Sequence, residues 1–197
     1  MLGFHGCDES VRDSLVTNPD NVKKSQEVFD WLGHGFYVWE NNRERAFQWA
    51  IDKKKRGTLI QPSVVGVIYQ LDYCLDFTDT EFINVLSTYY DLMKQDLQTA
   101  GKELPKNKNK SDDIYKDLVL RELDCAVIEY LHRKIDEERK SGSNALRPFD
   151  TVRGIFTEGG PAYEGAGIQS KNHIQVCIRN LNCIKGFFIP RKEIKFP

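Results

Sequence analysis

The chain opens with LGFHG, a short apolar run closed by glycine, which predicts a strand ending at a tight backbone position. Asp8 or Ser10 then offers a side-chain oxygen to the orphan amides of a helix running to about Leu15, and a polar loop follows. In WLGHGFYVWE, Gly33 and Gly35 flank His34 and deliver FYVW, aromatic and β-branched, into a second strand. Asn41 or Asn42 caps a short amphipathic helix whose stripe is Ala46, Phe47, Trp49, Ala50 and Ile51, and Gly57 ends it. The β-branched stretch 63–71 predicts a third strand, with a shorter one around 74–77.

The pattern changes in the middle of the chain. Phe82, Val85, Leu86, Tyr89, Leu92 and Met93 recur at helical spacing behind Thr78 or Asp79 as cap. The lysine-rich stretch 102–113 reads as a solvated loop, and the longest helical pattern runs over 111–142, ending near Gly142. Strand character returns in TVRGIF, HIQVCIRN and CIKGFFIP, the first two separated by a loop dense in glycine. Strands, then helices, then strands predict an α+β fold. Neither flank of the middle region resembles a flexible linker, so we expect one domain over 1–197 with a helical insertion at about 78–142 packed beside a sheet.

Composition narrows the picture. With 40% hydrophobic and 29% charged residues the chain belongs with folded globular proteins, and its formal net charge of −1 gives no global pull toward nucleic acid or anionic membrane. No apolar stretch is long enough for a membrane span and the N-terminus lacks a basic start and apolar run, so the expectation is a cytoplasmic protein with no membrane partner. Cys7, Cys74, Cys125, Cys177 and Cys183 are odd in number and show no metal-ligand spacing, which predicts reduced thiols and no metal. The sequence has no GxGxxG after a strand, no GxxxxGK[ST], no GxSxG and no HExxH.

FHGC and GHGFYVWENNRERAFQWA resemble segments of the diphtheria-toxin and poly(ADP-ribose) polymerase class of ADP-ribosyltransferases. That class has a His-Gly pair ending its first strand, and later a G-x-G-[IF]-Y-F-type segment leading into a helix with an alanine and an aromatic residue. Here the places are filled by His5-Gly6, by Gly35-Phe36-Tyr37, and by Ala46 and Trp49, the last displaced by about one residue. The resemblance implies a split β-sheet and NAD as co-substrate. It further implies that His5 bonds the nicotinamide-side ribose, the Gly6 backbone pairs with the carboxamide, Tyr37 stacks on nicotinamide and Trp49 forms a second aromatic wall. Physically, a neutral imidazole orients a sugar hydroxyl and an aromatic face holds a pyridinium cation.

The class also carries a glutamate on a late strand that grips the ribose. Aligning it with HIQVCIRN puts Gln175 there, a departure that brings no charge and suits transfer of a single ADP-ribose. His173 is the second choice for this place, with Glu158 and Glu164 as loop-borne substitutes. By position the loop FTEGGPAYEGAGIQSKN corresponds to the segment that meets the acceptor, through Glu158, Tyr163 and Glu164. The whole chain is similar to small bacterial transferases of this class. Some of these are toxins of anti-phage toxin–antitoxin systems, and one toxin–antitoxin–chaperone group modifies bases of messenger RNA. The resemblance therefore implies a macromolecular acceptor, RNA before protein, and a neutralising antitoxin. An NAD glycohydrolase and an inactive ligand-binding or partner-binding relative are the alternatives.

Other features carry less. The basic runs 53–56 and 106–110 read as solvated ends and loops or as phosphate contacts. Asp72, Asp76 and Asp79 lack the glycine and terminal glutamate of a calcium loop. Arg153 and Arg179 either hold a cofactor phosphate or form structural ion pairs.

Overall fold

A computed structural model describes residues 1–111, 114–142 and 146–191. Thirteen regular elements build an α+β fold: β1 (Leu2–Asp8), α1 (Glu9–Thr17), β2 (Phe36–Glu40), α2 (Arg43–Lys55), β3 (Pro62–Tyr69), β4 (Cys74–Asp76), α3 (Thr80–Thr99), β5 (Asn107–Lys108), β6 (Leu120–Arg121), α4 (Glu122–Lys140), β7 (Thr151–Phe156), β8 (His173–Ile178) and β9 (Ile184–Phe188). The helix starts follow the expected side chains. Asp8 accepts from the Ser10 amide, Asn42 from that of Arg45 and Asp79 from that of Glu81, each satisfying a donor that the first turn leaves open.

Seven strands form one sheet in the order β4-β7-β8-β2-β1-β3-β9, and β5 pairs only with β6. All neighbours in the large sheet are antiparallel except β4 and β7. One face packs Phe36, Val38, Val65, Val67, Val176 and Ile178 against Leu15 of α1. On the other, Phe4, Trp39 and Val64 meet Ala46 of α2, while Leu75, Val152 and Cys177 meet Ile128 and Leu131 of α4. The period-2 alternation of each strand divides its side chains between these two cores.

The sheet opens at its centre. β1 pairs with β3 over its whole length but with β2 only at Gly3↔Glu40 and Phe4↔Trp39. β2 meanwhile continues its pairing with β8 through Phe36. α2 keeps the parted β1 in place, because Gly6 lets the helix backbone come directly onto the strand: a Cβ there would collide with the Ala46 carbonyl oxygen and press on the Trp49 ring.

The middle helices are present, but the second begins later than its pattern. Residues 114–119 are irregular, with positive φ at Lys116 and Leu118, and Ile114 and Leu118 are exposed. Asn107 reaches across the β5–β6 ladder and accepts from the Leu123 and Asp124 amides, so α4 is capped from outside the periodic run. Asp112 and Asp113, at the start of the expected helix, lie outside the described residues. α3 and α4 pack together through Met93, Val127 and Tyr130, and no described helix is long and apolar enough to cross a membrane.

Gly6→Ala should cost about 2–3 kcal/mol, since an added methyl must displace helix backbone and not a flexible side chain. A urea unfolding midpoint that matches the parent's would show that α2 does not pin β1 at this point.

Candidate active site

His5 occupies the opening between β1 and β2. Its Nδ1 donates to the Tyr37 carbonyl at 2.7 Å, which fixes the tautomer because a carbonyl only accepts, and leaves Nε2 with a lone pair. Burial pulls its pKa down to about 4, opposed by the Tyr37 hydrogen bond and aided by Lys53, so the ring is neutral at pH 7. Asn41 donates to the Leu2 carbonyl, and antiparallel ladders alternate. Leu2, Phe4 and Gly6 therefore turn their main-chain groups toward β2. At Gly6, β2 has already parted, so that amide and carbonyl face the gap.

An unbroken series of rings leads away from this opening. His5 lies 4.5 Å from Phe36 and 6.5 Å from Trp49; Trp49 lies 5.4 Å from Trp39, and Trp39 6.1 Å from His173. His173 stacks on Phe156 at 5.6 Å, and Phe156 meets the edge of Trp31 at 5.0 Å. Lys53 sits 4.3 Å over Trp49, and Arg121 sits 4.0 Å over Phe156. Trp31 reaches β7 because Gly154 has no side chain to hold it off, and its Nε1 donates to Gln175 Oε1 at 2.6 Å. Gln175 pairs with Trp39 on one side and Gly154 on the other, which puts its side chain on the ring-lined face. Trp39 and Gln175 thus share one face, while His5 and Phe36 belong to the other, and Trp49 of α2 stands between them, 6.5 Å from His5 and 5.4 Å from Trp39.

Tyr37 stands elsewhere than expected. Its hydroxyl accepts from the Leu32 amide at 2.9 Å and donates to the Gly33 carbonyl at 2.8 Å, and its ring packs with Leu32, Leu75 and Cys177. It anchors the loop before β2, and the ring beside His5 is Phe36. The physical reason is the strand alternation, which sends neighbours 36 and 37 to opposite faces. Gly35 is required for the same approach, since a Cβ there would come within 2.7 Å of the Ile178 carbonyl oxygen.

Glu158 also departs from its expected place on an open acceptor loop. It is buried, with Oε1 receiving both Nε and Nη2 of Arg45, and it lies 3.9 Å from His173 Nδ1. Tyr163 and Glu164 of the same loop are exposed. His173 donates from Nδ1 to the Lys171 carbonyl, and burial lowers its pKa. Among the described residues, two buried donors in this cluster have no partner, Arg45 Nη1 and Trp39 Nε1. Beyond Arg121 a cavity of about 540 Å³ opens between the glycine loop and the segment before α4, lined by Asn107, Lys116, Arg121, Thr157, Pro161 and Gln169.

The arginines proposed for a phosphate are taken up in ion pairs. Arg153 forks onto Glu40 at 2.8 and 3.0 Å and reaches Asp76, while Arg179 holds Glu129. The three aspartates are separately engaged, Asp72 by the Cys183 thiol, Asp76 by Arg153 and Asp79 as a helix cap. Arg45, Trp31, Phe156 and Arg121 escaped the sequence reading. The one available signal was that Arg45 lies a helical turn before Trp49, on the same face.

The chain matches no family model, no curated protein and no solved structure.

His5 and His132 are both held down to about 4 by burial, whereas unfolded histidine titrates near 6.5. Between these values the unfolded chain takes up protons that the folded chain refuses, so stability falls as pH drops from about 6.5 toward 4, by up to about 3 kcal/mol per ring. Urea midpoints at several pH values in this window should show the slope, and His5→Gln with His132→Gln should flatten it.

Proposed function

We propose that this chain is an NAD-dependent mono-ADP-ribosyltransferase acting at the opening between β1 and β2. The observation that carries the proposal is the neutral His5 ring lodged where the two strands part, beside Phe36 and Trp49 and next to the main chain of Gly6, which faces the gap. A primary carboxamide needs one acceptor and one donor, which a free backbone carbonyl and amide offer together. Pyridinium suits aromatic walls, and we assign these to Phe36 and Trp49, with Tyr37 as the anchor of the preceding loop. His5 Nε2, an acceptor, suits a ribose hydroxyl. Lys53, beside Trp49, takes the diphosphate place, because Arg153 and Arg179 are committed to ion pairs.

In this proposal the bond from ribose C1′ to the nicotinamide nitrogen breaks and its electron pair discharges the pyridinium. The acceptor's lone pair then forms the new bond to C1′, and its proton passes to the Glu164 carboxylate or to water. The exposed Tyr163 and Glu164 are available to that acceptor, and the basic end of α2 at Lys54, Lys55 and Arg56 favours a polyanion. RNA is therefore the first choice, in line with the resemblance to bacterial toxins, which also implies an antitoxin partner. The engagement of Gln175 with Trp31 favours the second reading, a ligand-binding relative without catalysis.

Purified protein incubated with adenylate-labelled NAD and cell extract should release nicotinamide and give a label that ribonuclease removes. A label removed only by protease would make the acceptor a protein, and free ADP-ribose without a labelled macromolecule would make the enzyme a glycohydrolase. If neither label nor nicotinamide appears, the ligand-binding reading replaces the enzyme. His5→Ala should lower nicotinamide release by about 100-fold. Tyr37→Phe should cost about 1–2 kcal/mol of stability while leaving the rate within about threefold; a loss as deep as that of His5→Ala would return Tyr37 to the pocket. Glu164→Ala should retain NAD hydrolysis and lose transfer, and unchanged transfer would remove Glu164 from the acceptor site.

A further inference from the structure

α4 carries two stripes. Ile128, Leu131 and Ile135 enter the core, and beside them Glu129, His132, Asp136 and Arg139 follow one another at the spacing of a single helix face. The polar stripe borders a cavity of about 630 Å³, whose other walls include Lys24 from the loop before β2, Arg147 and Asp150 ahead of β7, and Arg179 after β8. This cavity shares no residue with the opening at His5.

Part of its charge is already matched. Arg179 holds Glu129 and donates to the His34 carbonyl at 3.1 Å, and Asp150 accepts from Arg147 at 2.6 Å and from Asn180 at 2.7 Å. Lys24, Asp136 and Arg139 are exposed, and none of them enters an ion pair among the described residues. The buried wall is unmatched too. His132 is 7% exposed, its Nδ1 donates to the Ile128 carbonyl at 2.8 Å, and its Nε2 has no partner among the described residues. A carbonyl only accepts, so the proton is on Nδ1 and Nε2 is an acceptor, kept neutral by burial, which lowers the ring's pKa to about 4. Phe149, stacked on Tyr73 at 4.5 Å, stands against this ring at 5.9 Å. A buried acceptor without a donor costs free energy that an apolar ring in its place would avoid, so the imidazole points to a donor that arrives with a ligand.

We infer that this cavity binds a small phosphorylated sugar or polyol, its phosphate held by Lys24, Arg139 and Arg147 and its hydroxyls donating to His132 Nε2 and Asp136. Phosphate suits the site better than carboxylate because its three free oxygens can meet three cationic side chains. Arg147 commits Nη2 to Asp150, and with its side chain 66% exposed its other N–H groups remain for a ligand. Hydroxyls suit the other wall because Nε2 and the Asp136 carboxylate accept and do not donate. The site stands whether or not the chain splits NAD.

Calorimetric titration of the whole chain with ribose 5-phosphate and with glycerol 3-phosphate, beside inorganic phosphate and ribose, tests the inference. At least one of the two esters should bind about tenfold tighter than inorganic phosphate or ribose, and the nitrogen resonance of His132 Nε2 should move on its addition. Lys24→Gln/Arg139→Gln should weaken that binding about tenfold and His132→Phe about fivefold. Asp136→Asn, at the surface, should weaken it about threefold and stands in for His132→Phe where the latter does not fold. Lys53→Gln, at the other opening, should leave it within about twofold. No binding of either ester up to about 10 mM overturns the inference. Inorganic phosphate as tight as both esters reduces the cavity to a patch for anions and overturns it as well. So does unchanged affinity in Lys24→Gln/Arg139→Gln, and so does a loss in Lys53→Gln, which would place the ester at the His5 opening.

Discussion

Two adjacent strands that pair at only two positions before separating make everything else in this molecule possible. A sheet interior normally satisfies each amide and carbonyl with a neighbour, so a gap between β1 and β2 exposes main-chain groups that must find other partners. His5 fills part of the gap by bonding the Tyr37 carbonyl. The gap is held open from both sides: α2 lies tight on Gly6, and β8 keeps β2 paired through Phe36. The loop ahead of β2 is tied by the Tyr37 hydroxyl and by Glu129, which receives the His34 amide at 2.7 Å. These ties fix where β2 enters the sheet, and so where the gap begins.

Charge is distributed according to the same plan. The ion pairs Arg153–Glu40–Asp76 and Arg179–Glu129 brace β4, β7, β2 and α4. Arg45–Glu158 is buried and sits among rings, and Arg45 Nη1 has no partner among the described residues. A buried ion pair recovers its desolvation cost only when its remaining donors and acceptors are also met. By that measure the buried Nη1 without a partner among the described residues is a cost that the Arg45–Glu158 pair carries.

Much of the architecture was legible in the sequence because local rules decide it. Capping side chains marked three helix starts, alternation and β-branching marked β1, β2, β3, β7 and β8, and Gly33 and Gly35 marked the turn into β2. The late start of α4 was not legible, since its cap comes from Asn107, sixteen residues before Leu123. The site divided along the same line. His5, Gly6 and Trp49 stand out as types at a spacing, and Gln175 shares the face of Trp39. That Phe36 and not Tyr37 lies beside His5 was not legible, because the sequence does not say which face of β2 looks into the gap. Glu158 and Arg45 meet across 113 residues, a contact that no periodicity announces.

That separation bears on when the site comes into being. The Arg45–Glu158 contact spans 113 residues and the Trp31–Gln175 bond 144, so the first waits for the loop after β7 and the second for β8. Synthesis proceeds from the N-terminus, and contacts so far apart close late because the loop entropy must be met first. His5 and α2 therefore emerge from the ribosome long before their partners. An incomplete chain carries half of each contact, and truncation ahead of Glu158 leaves Arg45 without the group that matches its charge.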